Sequence, residues 1–135
     1  MTGRAPASVV IFALDVVRVS AFYEVTAALE RRPSETGFAT LNSPAIDVIV
    51  HRVPDHVAAS FTISDPPRRR EDTPIKIGFT IDSLARVRDV AKTAGGVLDS
   101  SEHEFEHEGW RWCDGHDPEG NVVQFRERVA TIDGM

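Results

Sequence analysis

The chain nearly repeats itself at half its length. Val9-Val10-Ile11-Phe12-Ala13-Leu14-Asp15 lies over Lys76-Ile77-Gly78-Phe79-Thr80-Ile81-Asp82, so that Phe12 meets Phe79, Leu14 meets Ile81 and Asp15 meets Asp82 at an offset of 67 residues. A repeat means that one supersecondary unit is used twice and buries its apolar face against its neighbour. Each copy opens on a strand-like run rich in Val, Ile and Phe, ends in aspartate, and passes into an amphipathic helical stretch. Val19, Phe22, Tyr23, Thr26 and Leu29 line one helix face in the first half, and Leu84, Val87, Val90, Ala91 and Ala94 in the second. Gly95-Gly96 stops the second helix, where a chain takes positive φ after its last turn. Strands are then expected at Phe38 to Leu41, Ile46 to Val53 and Ser60 to Ile63 in the first half. Their counterparts in the second are Val97-Leu98, Glu102 to Glu106, Trp110 to Cys113 and Val122 to Glu127. Each half reads as βαβββ.

Residues 65–74 carry three prolines among charges and form a connector. Module one is expected at about 7–64, the linker at 65–74 and module two at about 75–128, all in one domain of 135 residues. A unit of about 65 residues would be marginal alone, whereas the whole chain can bury a core without staples. The single cysteine, Cys113, cannot form an internal disulfide. The N-terminal apolar run Ala7 to Leu14 is far shorter than the ~20 residues of a membrane span. A cytoplasmic protein is therefore expected. Arg68-Arg69-Arg70 runs straight into Glu71 and Asp72 without interleaved aromatics, which argues against nucleic acid. The net charge of −6 is uneven: residues 1–70 hold eight Lys/Arg and seven Asp/Glu, residues 71–135 seven and fourteen.

The strand-Asp-helix start with Phe22-Tyr23, the second opening Ile75 to Asp82, and the closing Asp117-Pro118-Glu119-Gly120-Asn121-Val122-Val123-Gln124-Phe125 together resemble the vicinal oxygen chelate superfamily. Glyoxalase I, extradiol dioxygenases, epimerases and bleomycin-resistance proteins belong to it. The resemblance spans about residues 7 to 128 and implies an α+β fold of two tandem βαβββ modules forming an open, cup-shaped mixed sheet. Asp-Pro-Glu-Gly-Asn itself is turn chemistry: Asp117 accepts backbone N–H bonds, Pro118 presets φ, and Gly120 and Asn121 tolerate positive φ.

The resemblance also implies four cup-facing positions that hold a divalent ion in the metal enzymes of the superfamily. They fall on Ser8 (or Val9), on Asp47 to Ile49, on Lys76 and on Gln124. A charged ammonium has no lone pair for a cation, so Lys76 argues against that metal. The leading expectation is a metal-independent small-molecule binder of the bleomycin-resistance type, acting as a homodimer, with Asp47, His51, Lys76, Trp110, Trp112 and Gln124 as ligand-binding candidates. The alternative is a lyase, isomerase or dioxygenase with a divalent metal on a shifted set such as Asp47, His51 and Gln124. Metal-free acid/base work by Asp47, His51 or Lys76 is a third. Lys76 is expected to pair with Asp47 or to anchor an anion.

Trp110 and Trp112 share a strand face with Glu106, Glu108 and Asp114 near in sequence; they are expected either to pack in the core or at a dimer interface, or to stack a cationic or polar-aromatic ligand. His103-Glu104-Phe105-Glu106-His107 spells a zinc-protease motif, but on a strand its histidines stand about 13 Å apart. Ser101 and Glu104 match a capping box, yet the repeat calls for strands there. His116 is expected in a loop and Cys113 in the core.

Overall fold

The computed structural model describes residues 5–33 and 37–129. In module one, β1 (Ala7–Ala13) leads into helix α1 (Val16–Thr26), followed by β2 (Glu30–Arg31), β3 (Phe38–Asn42) and β4 (Ile46–Arg52). A short helix α2 (Asp55–Ala58) starts the connection to module two. There β5 (Ile77–Thr80) leads into α3 (Leu84–Thr93), then β6 (Val97–Leu98), a single 3₁₀ turn at Ser101–His103, β7 (Phe105–His107), β8 (Trp110–His116) and β9 (Val122–Arg128).

Both modules use one topology. The first sheet runs β1-β4-β3-β2 and the second β5-β9-β8-β6, with β7 also on β8. The outer pairs β1/β4 and β5/β9 are parallel, each bridged by its helix, and the other pairs are antiparallel. The chain is therefore α+β, built from two tandem βαβββ modules in open mixed sheets.

Three expectations need correction. Ser60 to Ile63 forms no strand, because α2 and the extended chain after it have left the sheet and β4 already ends module one's ladder. Glu102 to Glu106 is split: Ser101–His103 makes one 3₁₀ turn, and pairing resumes at Phe105 opposite Trp112. The Ser101/Glu104 capping box does not form: Ser100 stands at the N-cap of that turn and makes no side-chain cap bond.

The repeat, too, is offset by 68 residues and not 67. Asp15 caps α1 by accepting from Arg18 N, at 3.0 Å, and the equivalent residue is Ser83, which accepts from Arg86 N at 3.1 Å. Phe12 thus corresponds to Thr80, and Phe79 to Ile11. Burial agrees: Phe12 is 56% exposed and Phe79 only 8%. On a strand, a one-residue slip moves every side chain to the opposite face. The two phenylalanines that coincide at an offset of 67 lie on opposite faces of their sheets.

The helix-side faces meet in one core that draws Val48, Val50, Phe22 and Tyr23 from module one and Phe79, Val87, Val123 and Phe125 from module two. Tyr23 packs edge-on to Phe22 at 5.0 Å and against Phe79 of the other module at 6.0 Å. Burying such side chains stabilises by about 1.5–3 kcal/mol each.

Polar contacts between the modules concentrate on α1. Glu119 of the Asp-Pro-Glu-Gly-Asn turn accepts from Leu14 N at 2.9 Å and Asp15 N at 2.8 Å, at the helix's start. At its other end Arg86 of α3 donates to the carbonyls of Val25 and Thr26, at 3.1 and 3.4 Å. A carboxylate at the N-terminus and a guanidinium at the C-terminus both suit the helix dipole.

The turn behaves as its composition implies. Asp117 is fully buried and accepts from Glu119 N and Asn121 N on Oδ1, and from Asn121 Nδ2 and Tyr23 Oη on Oδ2. Gly120 takes φ 85°, and a Cβ there would strike the Arg68 carbonyl. Asn121 does not take positive φ. Burial, with the nearby Asp117 carboxylate adding to it, holds the Tyr23 phenol well above its ordinary pKa.

Candidate functional site

Each sheet has one face covered by helix and one left open. On β1 the outward residues are Ser8, Val10 and Phe12, and β4 adds Asp47, Ile49 and His51. On β5, β8 and β9 the corresponding positions are Gly78, Thr80, Trp110, Trp112, Asp114, Gln124 and Arg126. Lys76 precedes β5 in the same alternation. The expected site residues therefore do lie on open faces, but on two separate sheets.

Asp47 and His51 belong to module one. Asp47 is 6% exposed and tied down, with Asn42 Nδ2 donating to it at 2.6 Å and Ala5 N at 3.3 Å. It borders a hollow of about 300 Å³ lined also by Ser8, Arg32, Thr40 and Ile49. His51 stands four residues away on the same strand, about 13 Å at the Cα atoms. Its ring lies between Phe12 (5.8 Å, edge-on) and Phe38 (6.4 Å, stacked), and Nδ1 donates to the Arg52 carbonyl at 2.8 Å. Side chains that far apart cannot share one ion whose bonds are about 2.0–2.6 Å long.

Lys76 and Gln124 belong to module two and converge on Asp114. Lys76 Nζ lies 2.9 Å from Asp114 Oδ2, and Gln124 Nε2 donates to Asp114 Oδ1 at 3.0 Å. The lysine's partner is thus Asp114, one rung from Trp112 on the same face, and not Asp47. A hollow of about 370 Å³ opens beside this trio, walled by the linker at Arg69, Glu71 and Thr73 to Ile75.

Register arranges the four positions that the resemblance implies. Ser8 corresponds to Lys76 at offset 68, and the strand partners on the rung of Val10 and Gly78 are Ile49 and Gln124. The four side chains are a hydroxyl, a hydrocarbon, an ammonium and an amide whose nitrogen faces a carboxylate. That donor set does not fit a divalent ion. Among the described residues, no three His, Cys, Asp or Glu side chains are grouped to hold one elsewhere.

Trp110 and Trp112 share the open face, as the alternation requires, but their surroundings are not acidic. Glu106 reaches through to Arg111 on the helix side at 2.7 Å, Glu108 sits in the β7–β8 turn beside His107, and Asp114 is taken by Lys76. Their cations come from the chain itself. Arg126 lies 4.1 Å from the Trp110 centroid and 5.1 Å from that of Trp112, and Arg128 lies 4.7 Å from Trp110. Phe105 stacks beside Trp112 at 6.5 Å with 10° between planes. The two arginines were legible in principle: Gln124, Arg126 and Arg128 alternate on one strand.

The remaining candidates serve the fold. His116 ends β8, is buried, and bonds the Asp117 carbonyl through Nδ1 at 2.9 Å, so it is a strand residue and not a loop one. Cys113 is buried, and that burial pushes its thiol pKa up, with Arg88 opposing the rise. The histidines of the protease-like motif fall on the 3₁₀ turn and on β7, not on one helix. A hollow of about 1150 Å³ lies between residues 61–64 and 68–72, where Arg69 pairs with Asp99 and Arg70 lies 5.6 Å over Phe61. Among the described residues no helix is long and apolar enough to cross a membrane.

No protein-family model matches the sequence, and no curated protein matches it. Solved structures do match. A glyoxalase/bleomycin resistance protein/dioxygenase family enzyme from Burkholderia phytofirmans PsJN is 22% identical at a TM-score of 0.67, over 90% of this chain and 97% of that one. A glyoxalase/bleomycin resistance protein from Albidiferax ferrireducens T118 is 15% identical at 0.64, over 90% and 98%. The fosfomycin resistance protein FosX from Listeria monocytogenes is 14% identical at 0.61, over 98% and 97%. Identities this low speak to the backbone and not to the chemistry. The chain thus has the glyoxalase/bleomycin-resistance fold, the architecture of the vicinal oxygen chelate superfamily that its sequence resembles.

Proposed function

We propose that the chain is a small-molecule-binding protein whose site works without a metal ion at the four strand positions used by the superfamily's metal enzymes. One observation carries the reading: the Lys76 ammonium stands at one of those positions, and its partner Asp114 also takes the Gln124 amide nitrogen. A cation placed there would meet a positive charge and an N–H donor. The other two positions, Ser8 and Ile49, offer a weak ligand and none. The open faces, with their aromatic and charged side chains, are where a ligand would sit. Phe12, 56% exposed on the open face of module one, also supports pairing of two copies.

Elemental analysis of protein purified without chelator, together with melting curves in added zinc, nickel, manganese and ferrous ions, tests the reading. Substoichiometric metal and unchanged melting are expected. A stoichiometric ion that returns after dialysis and reloading would overturn it. Nothing in the geometry favours the set Asp47, His51 and Gln124, since the first two are too far apart and the third lies on the other sheet.

A further inference from the structure

Two arginines converge on one indole. The Arg126 and Arg128 guanidiniums lie 4.1 and 4.7 Å from the Trp110 centroid, and so within about 9 Å of each other. That is close to the ~8 Å Debye length at physiological salt, so the like charges still feel each other. Among the described residues neither pairs with a carboxylate. Arg126 Nε donates to Thr80 Oγ1 at 2.8 Å, which fixes the plane of the guanidinium and leaves both terminal nitrogens as donors. Carboxylates do occur nearby, yet each is engaged: Asp114 by Lys76 and Gln124, Glu106 and Glu127 by Arg111.

Beside the arginines lies a row of aromatic rings. Trp110 and Trp112 share the face, and Phe105 stacks parallel to Trp112 at 6.5 Å with 10° between planes. Guanidiniums held over aromatic faces lose little freedom when they meet a planar oxyanion, which they bind through paired N–H donors.

We propose that the open face of module two binds a small planar organic anion, its acidic group held by Arg126 and Arg128 and its flat body laid along Trp110, Trp112 and Phe105. This rests on the small-molecule reading above and replaces the cationic ligand expected from the sequence, since the chain already supplies the cations. An anion between the arginines turns their repulsion into two attractions, and the aromatic body covers exposed apolar surface.

The two tryptophans are the only ones in the chain, so intrinsic fluorescence reports this face. The experiment titrates the unmodified protein with para-nitrobenzoate, para-nitrobenzyl alcohol and para-nitrobenzylammonium, which share a ring and differ in charge. The carboxylate is expected to quench saturably, the alcohol to bind about tenfold or more weakly and the ammonium more weakly still. Added salt should weaken the carboxylate alone. Arg126→Gln and Arg128→Gln should each lower carboxylate affinity about fivefold to tenfold and leave the alcohol unchanged. Should either variant fail to fold, the three-probe series and its salt dependence still decide on the unmodified protein. The proposal is overturned if the ammonium binds as well as the carboxylate, if the carboxylate shows no saturable quenching, or if folded variants lose self-association but keep nitrobenzoate affinity. Metal content is independent of this titration, so the anion assignment and the metal-free reading fail separately.

Discussion

The open faces of the two modules match rung for rung in backbone and differ in chemistry at almost every rung. In module one Phe38, His51 and Phe12 lie side by side across three strands; in module two the same rung holds Trp112, Arg126 and Thr80. The next rung sets Thr40, Ile49 and Val10 against Asp114, Gln124 and Gly78. Ser8 faces Lys76 in the same comparison. Module one thus shows a mostly neutral, apolar face and module two a charged one. The backbone decides which residues reach an open face, and their identities alone decide whether that face can recognise an ion. A fold shared with enzymes and resistance proteins carries no chemistry by itself.

The join between the modules can be broken most severely at Asp117, whose carboxylate takes four donors in the core. Asp117→Ala leaves those donors without a partner and should cost about 3–5 kcal/mol, read by urea unfolding. That is a large part of the ~5–15 kcal/mol a domain of this size has. The same pair gives a pH signature. Because the folded Tyr23 phenol titrates above its unfolded value of about 10, the unfolded state loses the proton first as pH rises. The stability it contributes is complete below about pH 10 and is lost above it as pH climbs through the folded value. Tyr23→Phe should flatten that alkaline limb, and Tyr23, the only tyrosine, reports its own titration by phenolate absorbance.

Register supplies a sharper test. At an offset of 67 Phe12 and Phe79 are equivalent and should respond alike to truncation. With the observed offset of 68, Phe79→Ala opens a cavity between Tyr23 and Phe125 and should cost about 3 kcal/mol, whereas Phe12→Ala on the open face should cost under about 1 kcal/mol. Equal losses in urea unfolding would contradict the face assignment. The smallest effect belongs to Lys76→Ala, which removes a half-exposed ion pair and should change stability by about 0–1 kcal/mol. A much larger loss would mean that Asp114 needs its ammonium more than a solvent-screened pair allows.

Particular residues show how far the sequence carried. The helix faces of Phe22, Tyr23, Val87 and Ala91 were legible because α-helical periodicity survives without tertiary context. The closing turn was legible because Pro118 and Gly120 constrain φ locally. The strand at Ser60 to Ile63 was not, since a short apolar run pairs only when a partner edge is within reach. Trp110 and Trp112 were rightly placed on one face, yet their neighbours were misjudged, because Glu106 faces the opposite side of β7 and Asp114, on the same face, is held by Lys76. Their real neighbours, Arg126 and Arg128, come from the adjacent strand.

The sequence by itself determined the two βαβββ modules, the turn that closes the second, and the unsuitability of Lys76 as a metal ligand, for these follow from local periodicity, fixed dihedrals and the lone pairs of single side chains. Only the tertiary structure decided the offset of 68, the pairing of Lys76 with Asp114 and the arginines over the tryptophans. Each depends on strand register, and register is set by hydrogen bonds between segments that the linear order leaves far apart.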